Sequence, residues 1–317
     1  MFSFFKFLQK FFKDLKSNKG LWFTTLAVMS VTGIFLCLYI LTNMTESVSK
    51  EVYENISKNY NKNYKNRVIK KEESLQKVIL SLKSNEELIT NIENNNLVTV
   101  GEEIALFNDT FKKTGFTKTQ LSFYPVINQI NQYRNSVNTV INSKNRIFGL
   151  EVLLDGIFYV YIEPVIKDDR LIGILELKEE VHSFKSEYLK DDLIYTFLLE
   201  ERMLNKLSIQ TRGDNYREVI EPVYVEEAKY DGQFTAKIIE AGKDEYNLML
   251  ERGYSVDDTY FRSAQKVSDI NGNIIGVVLI GETVEGSGAF VNIVDNMTKT
   301  VTTVALGLVI SILLFMF

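Results

Sequence analysis

Two apolar stretches about 250 residues apart, with a polar body between them, limit most strongly what this chain can fold into. Leu21 to Leu41 runs for 21 residues without a charged side chain. At about 1.5 Å per residue, such a helix spans the roughly 30 Å hydrocarbon core of a bilayer. Val301 to Phe317 is likewise uncharged and ends with the sequence. Unpaired backbone groups are intolerable in lipid, so each stretch is expected as a helix. Two spans place both ends of the body on the same side of one membrane.

The flanks set the orientation. Lys6, Lys10, Lys13, Lys16 and Lys19 stand against Asp14 alone before the first span, which predicts a cytoplasmic tail. The chain has a formal net charge of −5 and the tail contributes +4, so the body carries −9. A body this acidic argues against nucleic-acid binding, which selects basic surfaces. The first apolar run is longer than a signal-peptide core and has no clean small-x-small exit, so it reads as a retained anchor. Phenylalanines and leucines from Phe2 to Leu15 alternate with the tail lysines. An amphipathic helix in the inner leaflet and a plain basic anchor both fit that pattern.

Several chemistries are closed off. The single cysteine, Cys37, lies inside the first span, so the body has no disulfide. The single histidine, His182, lacks sequence partners for zinc or a catalytic triad and reads as a helix-start or surface residue. Gly286-Ser287-Gly288 has no following lysine and reads as a strand-to-helix joint rather than a phosphate loop. No catalytic residue, cofactor or metal site is expected, and a binding module is a better reading than an enzyme.

From Ile34 to Val100 there is neither glycine nor proline. Val52, Ile56, Tyr60, Tyr64, Val68, Leu75, Ile79 and Leu82 recur at helical spacing, predicting one helix from the membrane to about Lys83. A shorter helix is expected over Glu102 to Lys113. Strand signals follow at Gln120–Tyr124, Tyr133–Asn135, Leu150–Leu154, Ile157–Ile166 and Leu171–Leu177. Val181 to Lys190 reads as a helix. The strand pattern restarts at Leu193–Leu199, Phe234–Ala241, Thr259–Lys266 and Ile274–Gly281, the last two joined by an Asn271-Gly272 turn. Asp155–Val181 lies over Asp258–Val284 without a gap, an offset of 103 residues that implies two modules of about a hundred residues each.

These residues resemble a known family. Phe123-Tyr124-Pro125, Tyr133-Arg134, Gly149-Leu150-Glu151-Val152, Asp155-Gly156-Ile157-Phe158, Tyr161-Ile162-Glu163-Pro164-Val165 and Leu171-Ile172-Gly173 stand in the order of a double Cache sensor domain. Asp269-Ile270-Asn271-Gly272 and Ile280-Gly281-Glu282 carry the likeness into the second half. Such domains belong to bacterial chemoreceptors and sensor kinases. The resemblance covers roughly Thr45 to Thr300. It implies an α+β fold: a long N-terminal helix with two PAS-like antiparallel-sheet modules, flanked by transmembrane helices. The expected parts are a tail at 1–20, a span at 21–43, the long helix with a membrane-distal module at 44–184, a membrane-proximal module at 185–297, and a second span at 298–317.

The resemblance further implies a receptor of the bacterial inner membrane with its sensor body outside, pairing as a homodimer through the long helix and signalling through the second span. Its cytoplasmic output module is expected beyond this sequence. A pocket for a small polar or anionic metabolite is expected in the first module. Arg134 can fork two hydrogen bonds to a carboxylate, and Tyr133, Phe158 and Tyr161 are aromatic neighbours. Glu151 either receives an ammonium group or pairs with Arg134. Phe158 and Tyr161 lie on opposite faces of one strand, so only one of those faces lines a given pocket. Val160 stands where the family commonly has a basic residue after paired aromatics. The rival reading is a membrane-tethered, partner-binding ectodomain with no small ligand.

Overall fold

A computed structural model describes residues 19–126, 133–284 and, discontinuously, 299–310. They fall into two compact units, 1–55 with 287–317 and 56–286. The tail, the Gly286-Ser287-Gly288 joint and most of the second expected span lie outside the described residues.

The first unit is helical wherever it is described. Helix α1 begins at Lys19 and runs to Lys83, and its backbone includes 21–43. Val28, Phe35, Leu36, Tyr39 and Ile40 are exposed, as are Val304, Leu306 and Ile310. Among the described residues no helix is long and apolar enough to cross a membrane.

The second unit is α+β, with the leading helix and two separate antiparallel sheets. After α1 come α2 (Glu86–Glu93), capped by the Asn85 side chain, and α3 (Leu97–Lys113). The first sheet contains β1 (Thr119–Pro125), β2 (Ile147–Leu153), β3 (Gly156–Lys167) and β4 (Arg170–Glu180), in the order β1-β4-β3-β2. Asp168 and Asp169 both take positive φ in the β3–β4 turn, the conformation a two-residue hairpin loop needs. One face of this sheet packs Leu121, Tyr161, Val165, Leu175 and Leu177 against Leu75, Ile79 and Leu82 of α1. The other packs Phe158, Val160, Ile162 and Ile174 under α4 (Asn135–Ser143) through Val137 and Val140.

A short 3-10 turn (Val181–Phe184) and α5 (Lys185–Leu189) lead to the second sheet. Its strands are β5 (Ile194–Glu200), β6 (Tyr216–Ile220), β7 (Val223–Glu226), β8 (Tyr254–Val256), β9 (Tyr260–Ser268) and β10 (Ile274–Thr283), in the order β6-β7-β5-β10-β9-β8. The connection β5–β6 holds α6 (Glu201–Leu204) and α7 (Ile209–Arg212), and α8 (Gly232–Arg252) precedes β8. Tyr60 and Tyr64 of α1 pack on the side of this sheet that carries Phe197, Val278 and Ile280. The opposite side meets α8 through Phe234, Ile238, Tyr246 and Met249.

Four sequence expectations change. Phe234–Ala241 is helix rather than strand, because Asp231 caps the Phe234 amide at 2.9 Å and the apolar residues Phe234 and Ile238 fall four apart. Tyr133–Asn135 is not a strand either: Arg134 is the N-cap position of α4. His182 does start a helix, in the 3-10 turn Val181–Phe184, but it is not at the surface: it is buried, its ring lying edge-on to Phe197 and its Nε2 3.1 Å from Glu226 Oε2.

The gapless repeat is the fourth. β4 and β10 match at the 103-residue offset, with Gly173 and Gly276 both on the α1 side of their sheets. On the partner strands the registers differ: Tyr159 pairs with Glu179, but Arg262 pairs with Gly281 rather than Glu282. β9 is therefore slipped by one residue. A one-residue slip exchanges the faces of a strand, so the equivalents of Phe158-Tyr159-Val160 are Tyr260-Phe261-Arg262.

The two sheets meet at a seam. Ile270, in the β9–β10 turn, donates its amide to the Leu150 carbonyl of β2 at 3.0 Å. Gly149 permits this approach, since a Cβ there would lie 2.5 Å from Ile270 Cγ2.

Candidate functional site

Strand alternation decides which expected residues meet. In the first sheet, Glu151 pairs directly with Phe158, and Glu176 of β4 pairs with Ile162. All four project from the side covered by α4. Arg134, at the head of α4, reaches down onto this face. Tyr161 projects to the other side, into the cluster with α1, so the structure does not bring it to Arg134. Burial pushes the Tyr161 phenol up to about 12, with the charge of Glu163 adding to the effect.

Arg134 is the hub of the network. Its Nε donates to Glu151 Oε2 at 3.0 Å and to Ser136 Oγ at 2.9 Å. Its Nη1 donates to Glu176 Oε2 at 3.1 Å and to the Tyr124 hydroxyl at 2.8 Å, while Nη2 pairs with Glu176 Oε1. Ser136 Oγ lies 2.9 Å from Glu151 Oε1, and Tyr124 also donates to Glu176. Burial alone would weaken the charge on Arg134, but the Glu176 hydrogen bond and the two carboxylate charges outweigh it and hold the guanidinium above its ordinary value. Tyr124 is pushed up by burial and then by the adjacent Glu176 charge. Tyr133 packs edge-on to Tyr124 at 5.2 Å and donates its hydroxyl to the Pro125 carbonyl at 2.8 Å.

The network is closed on itself and acidic. One guanidinium faces two carboxylates, and most of its N–H groups are engaged within the protein. Glu176 is only 1% exposed, and Arg134 is the partner that compensates its burial. A ligand carboxylate would have to displace one of these glutamates, whereas a donor group meets free acceptor capacity.

Next to this network lies a pocket of about 510 Å³, with Phe158, Gln120 and Asp155 on its sheet side and Asn108, Asp109 and Lys112 from α3. Lys178 sits 4.5 Å from the Phe158 ring and pairs with Asp155. Lys118 and Glu180 complete the charged lining.

Tyr124 and Glu176 lie in stretches that carry the family resemblance, but neither they nor Ser136 were expected as site residues. The signal for Glu176 was an acid inside the apolar run Leu171–Leu177, on the same strand face as Ile174. Ser136 gave none, because its role depends on where α4 docks. Among the described residues, no group of three or more His, Cys, Asp and Glu side chains could hold a metal ion.

No family model matches the chain, and no curated protein matches it. Solved structures do. The extracellular domain of vpHK1S-Z8 is 13% identical with a TM-score of 0.40, over 74% of this chain and 97% of that one. The ligand-binding domain of the Campylobacter jejuni chemoreceptor Tlp3, in complex with 4-methylisoleucine, is 11% identical with a TM-score of 0.37, over 77% and 93%. The sensor domain of the V. cholerae histidine kinase DctB is 9% identical with a TM-score of 0.29, over 70% and 96%. At these distances no residue role passes from those proteins to this one.

Proposed function

We propose that this chain is the ligand-sensing extracytoplasmic region of a two-span bacterial receptor, binding a small polar metabolite at the first sheet and signalling through its second span. The observation that carries the reading is the Arg134–Glu151–Glu176 network beside an open pocket on one sheet face. Burying three charges is costly, and a buried charge cluster beside a pocket is a reasonable place for recognition. The acidic balance of the network favours a ligand that donates hydrogen bonds or carries a cationic group.

The spans belong to this proposal. Their support is the uncharged sequence at 21–41 and 301–317 and the exposed Phe35, Leu36, Tyr39, Val304 and Leu306. Lipid covers such side chains at no cost, whereas water would face a large apolar patch. In this reading the parts are the tail at 1–20, spans at 21–43 and 298–317, and sensor modules at 44–184 and 185–297, with α1 as the dimer helix.

The rival, a partner-binding ectodomain, is favoured by one observation: Arg134 is already satisfied by the protein's own carboxylates. The full chain in lipid nanodiscs, screened against small polar metabolites by thermal shift, separates the two. Ligands that bind only the folded state raise its melting temperature, and Glu151→Gln should reduce the shift. A screen with no stabilising compound favours the rival. Topology is checked with cysteines at Ser17 and Asn142 and a membrane-impermeant reagent on intact cells: position 142 should label and position 17 should not.

A further inference from the structure

The pocket of about 510 Å³ beside the Arg134 network has a far end, between α3 and the start of β1. Strand pairing sets which side chains stand there. Gln120 is opposite Lys178, and Lys178 is opposite Val160, so Lys118, Gln120, Phe158 and Val160 project to the same side of the first sheet. Beyond the edge of β1, Ala105, Asn108, Asp109 and Lys112 fall on one face of α3. Asn108 ties that face to the strand: its side chain accepts from the Leu121 amide at 2.7 Å and donates to the Leu121 carbonyl at 2.9 Å.

The charges at this end are not balanced. Each acid in the lining is paired with a lysine outside it: Asp109 with Lys113 at 2.6 Å, Glu180 with Lys229 at 3.3 Å, and Asp155 with Lys178. The two lysines of the lining, Lys112 and Lys118, have no acidic partner within salt-bridge distance among the described residues. Lys112 is exposed, but Lys118 is partly buried, and its ammonium donates to a neutral oxygen, the His182 carbonyl, at 3.3 Å. Burial, and then the charge of Lys229, lower the Lys118 value by more than Glu180 and Glu179 restore. A cation that loses water without gaining a carboxylate calls for an anion. The body's charge of −9 opposes one at long range, but salt screens that beyond about 10 Å.

We infer that this end of the pocket takes the carboxylate of a small hydroxylated acid, a sugar acid by chemical class. Lys118 and Lys112 meet the carboxylate, and the exposed Gln120 amide offers a donor and an acceptor to the hydroxyls. Ala105 and Phe158 are the only apolar residues described in the lining, so a polar body suits it better than an apolar one. The volume is in the range of small-ligand pockets, about 300 to 1,000 Å³. The inference rests on the reading that the first sheet binds a small polar metabolite. It puts the anion away from Arg134, where two glutamates already occupy the guanidinium.

The test is isothermal titration of the full chain in phosphatidylcholine nanodiscs, with empty discs subtracted. The probes are glucuronate and its neutral counterpart glucose. Glucuronate should bind saturably, one per chain, and glucose roughly tenfold or more weakly. A Lys112→Gln/Lys118→Gln double variant should close that gap by weakening glucuronate alone. Ala105→Trp, at an exposed position on the pocket face of α3, should abolish glucuronate binding with an unaltered melting temperature. The inference is overturned if glucuronate gives no saturable heat, if Ala105→Trp leaves its affinity intact, or if the double variant weakens both probes equally. A screened metabolite whose thermal shift falls with Glu151→Gln but not with the lysine variants would remove this inference and leave the proposed function standing.

Discussion

Each sheet has an arginine on the face turned away from α1, and the two are treated in opposite ways. On the first, Arg134 comes from the covering segment and lies across Glu151 and Glu176, with its side chain 24% exposed beside a pocket. On the second, Arg262 rises from the sheet and is only 2% exposed. It lies 4.9 Å from the Phe234 ring and 5.1 Å from the Tyr260 ring, and it donates to Asp257 at 2.5 Å and to the Phe234 carbonyl at 3.2 Å. What covers each face makes the difference. A nine-residue helix covers part of the first sheet, whereas a 21-residue helix lies over the second. Gly281 lets that helix come close, since a Cβ there would fall 2.5 Å from a Phe234 ring carbon. The same half-fold thus makes a partly open face or a closed core according to its cover.

The contrast breaks most sharply under substitution of the arginines. Arg134→Met strands Glu176 as a buried, unpaired charge and should cost about 3–5 kcal/mol. Adding Glu176→Leu should recover most of that loss, measured by denaturant unfolding. Arg262→Met should cost less, about 1–3 kcal/mol, because Asp257 is 29% exposed and water can solvate it. Equal losses at the two sites would remove the distinction drawn between them.

Acid should sharpen the contrast from the second sheet's side. Burial works against the Asp257 charge, but the Arg262 hydrogen bond and the amides of Tyr260 and Thr259 hold its carboxyl below the usual range. Glu226 is lowered in the same way, against burial, by His182. A depressed folded value stabilises above the ordinary carboxylate range and is lost as pH falls through the folded value. Stability should therefore fall on acidification, and Asp257→Asn should flatten that slope in unfolding curves taken from neutral to acid pH.

The smallest effect lies between the sheets. Tyr64 and Tyr159 share one buried hydroxyl contact at 2.5 Å. Tyr64→Phe should cost about 1 kcal/mol by leaving the Tyr159 phenol without its partner. The double Phe variant should come back close to the parent, because both polar groups then leave together. A double variant less stable than either single one would mean that the hydroxyls serve another purpose.

Much of this architecture could be read from short-range pattern. Helix α1 ends at Lys83 as its spacing predicted, and seven of the nine predicted strand segments have strands at their positions. The misreadings have physical causes. Phe234–Ala241 looked like strand because its apolar residues are dense, and the Asp231 cap outweighed that density. The Tyr133 strand failed because the chain turns into α4 there. Strands β6 and β7 went unseen, being only five and four residues long. Of the expected site, Tyr133, Arg134, Glu151 and Phe158 share one face, and Tyr161 is excluded by the two-residue period of its strand.

By itself, the sequence determined the helix that leads the body and the polar hairpin turns, because caps, turns and periodicity act over a few residues. It also carried the charge asymmetry behind the membrane reading. Only the tertiary structure decided that Glu176 meets Arg134, that β9 is slipped by one residue, and that Ile270 docks on Leu150. Those partners lie 42 residues apart in one case and on different sheets or helices in the others. Their meeting depends on register and docking, and a single strand's pattern does not encode either one.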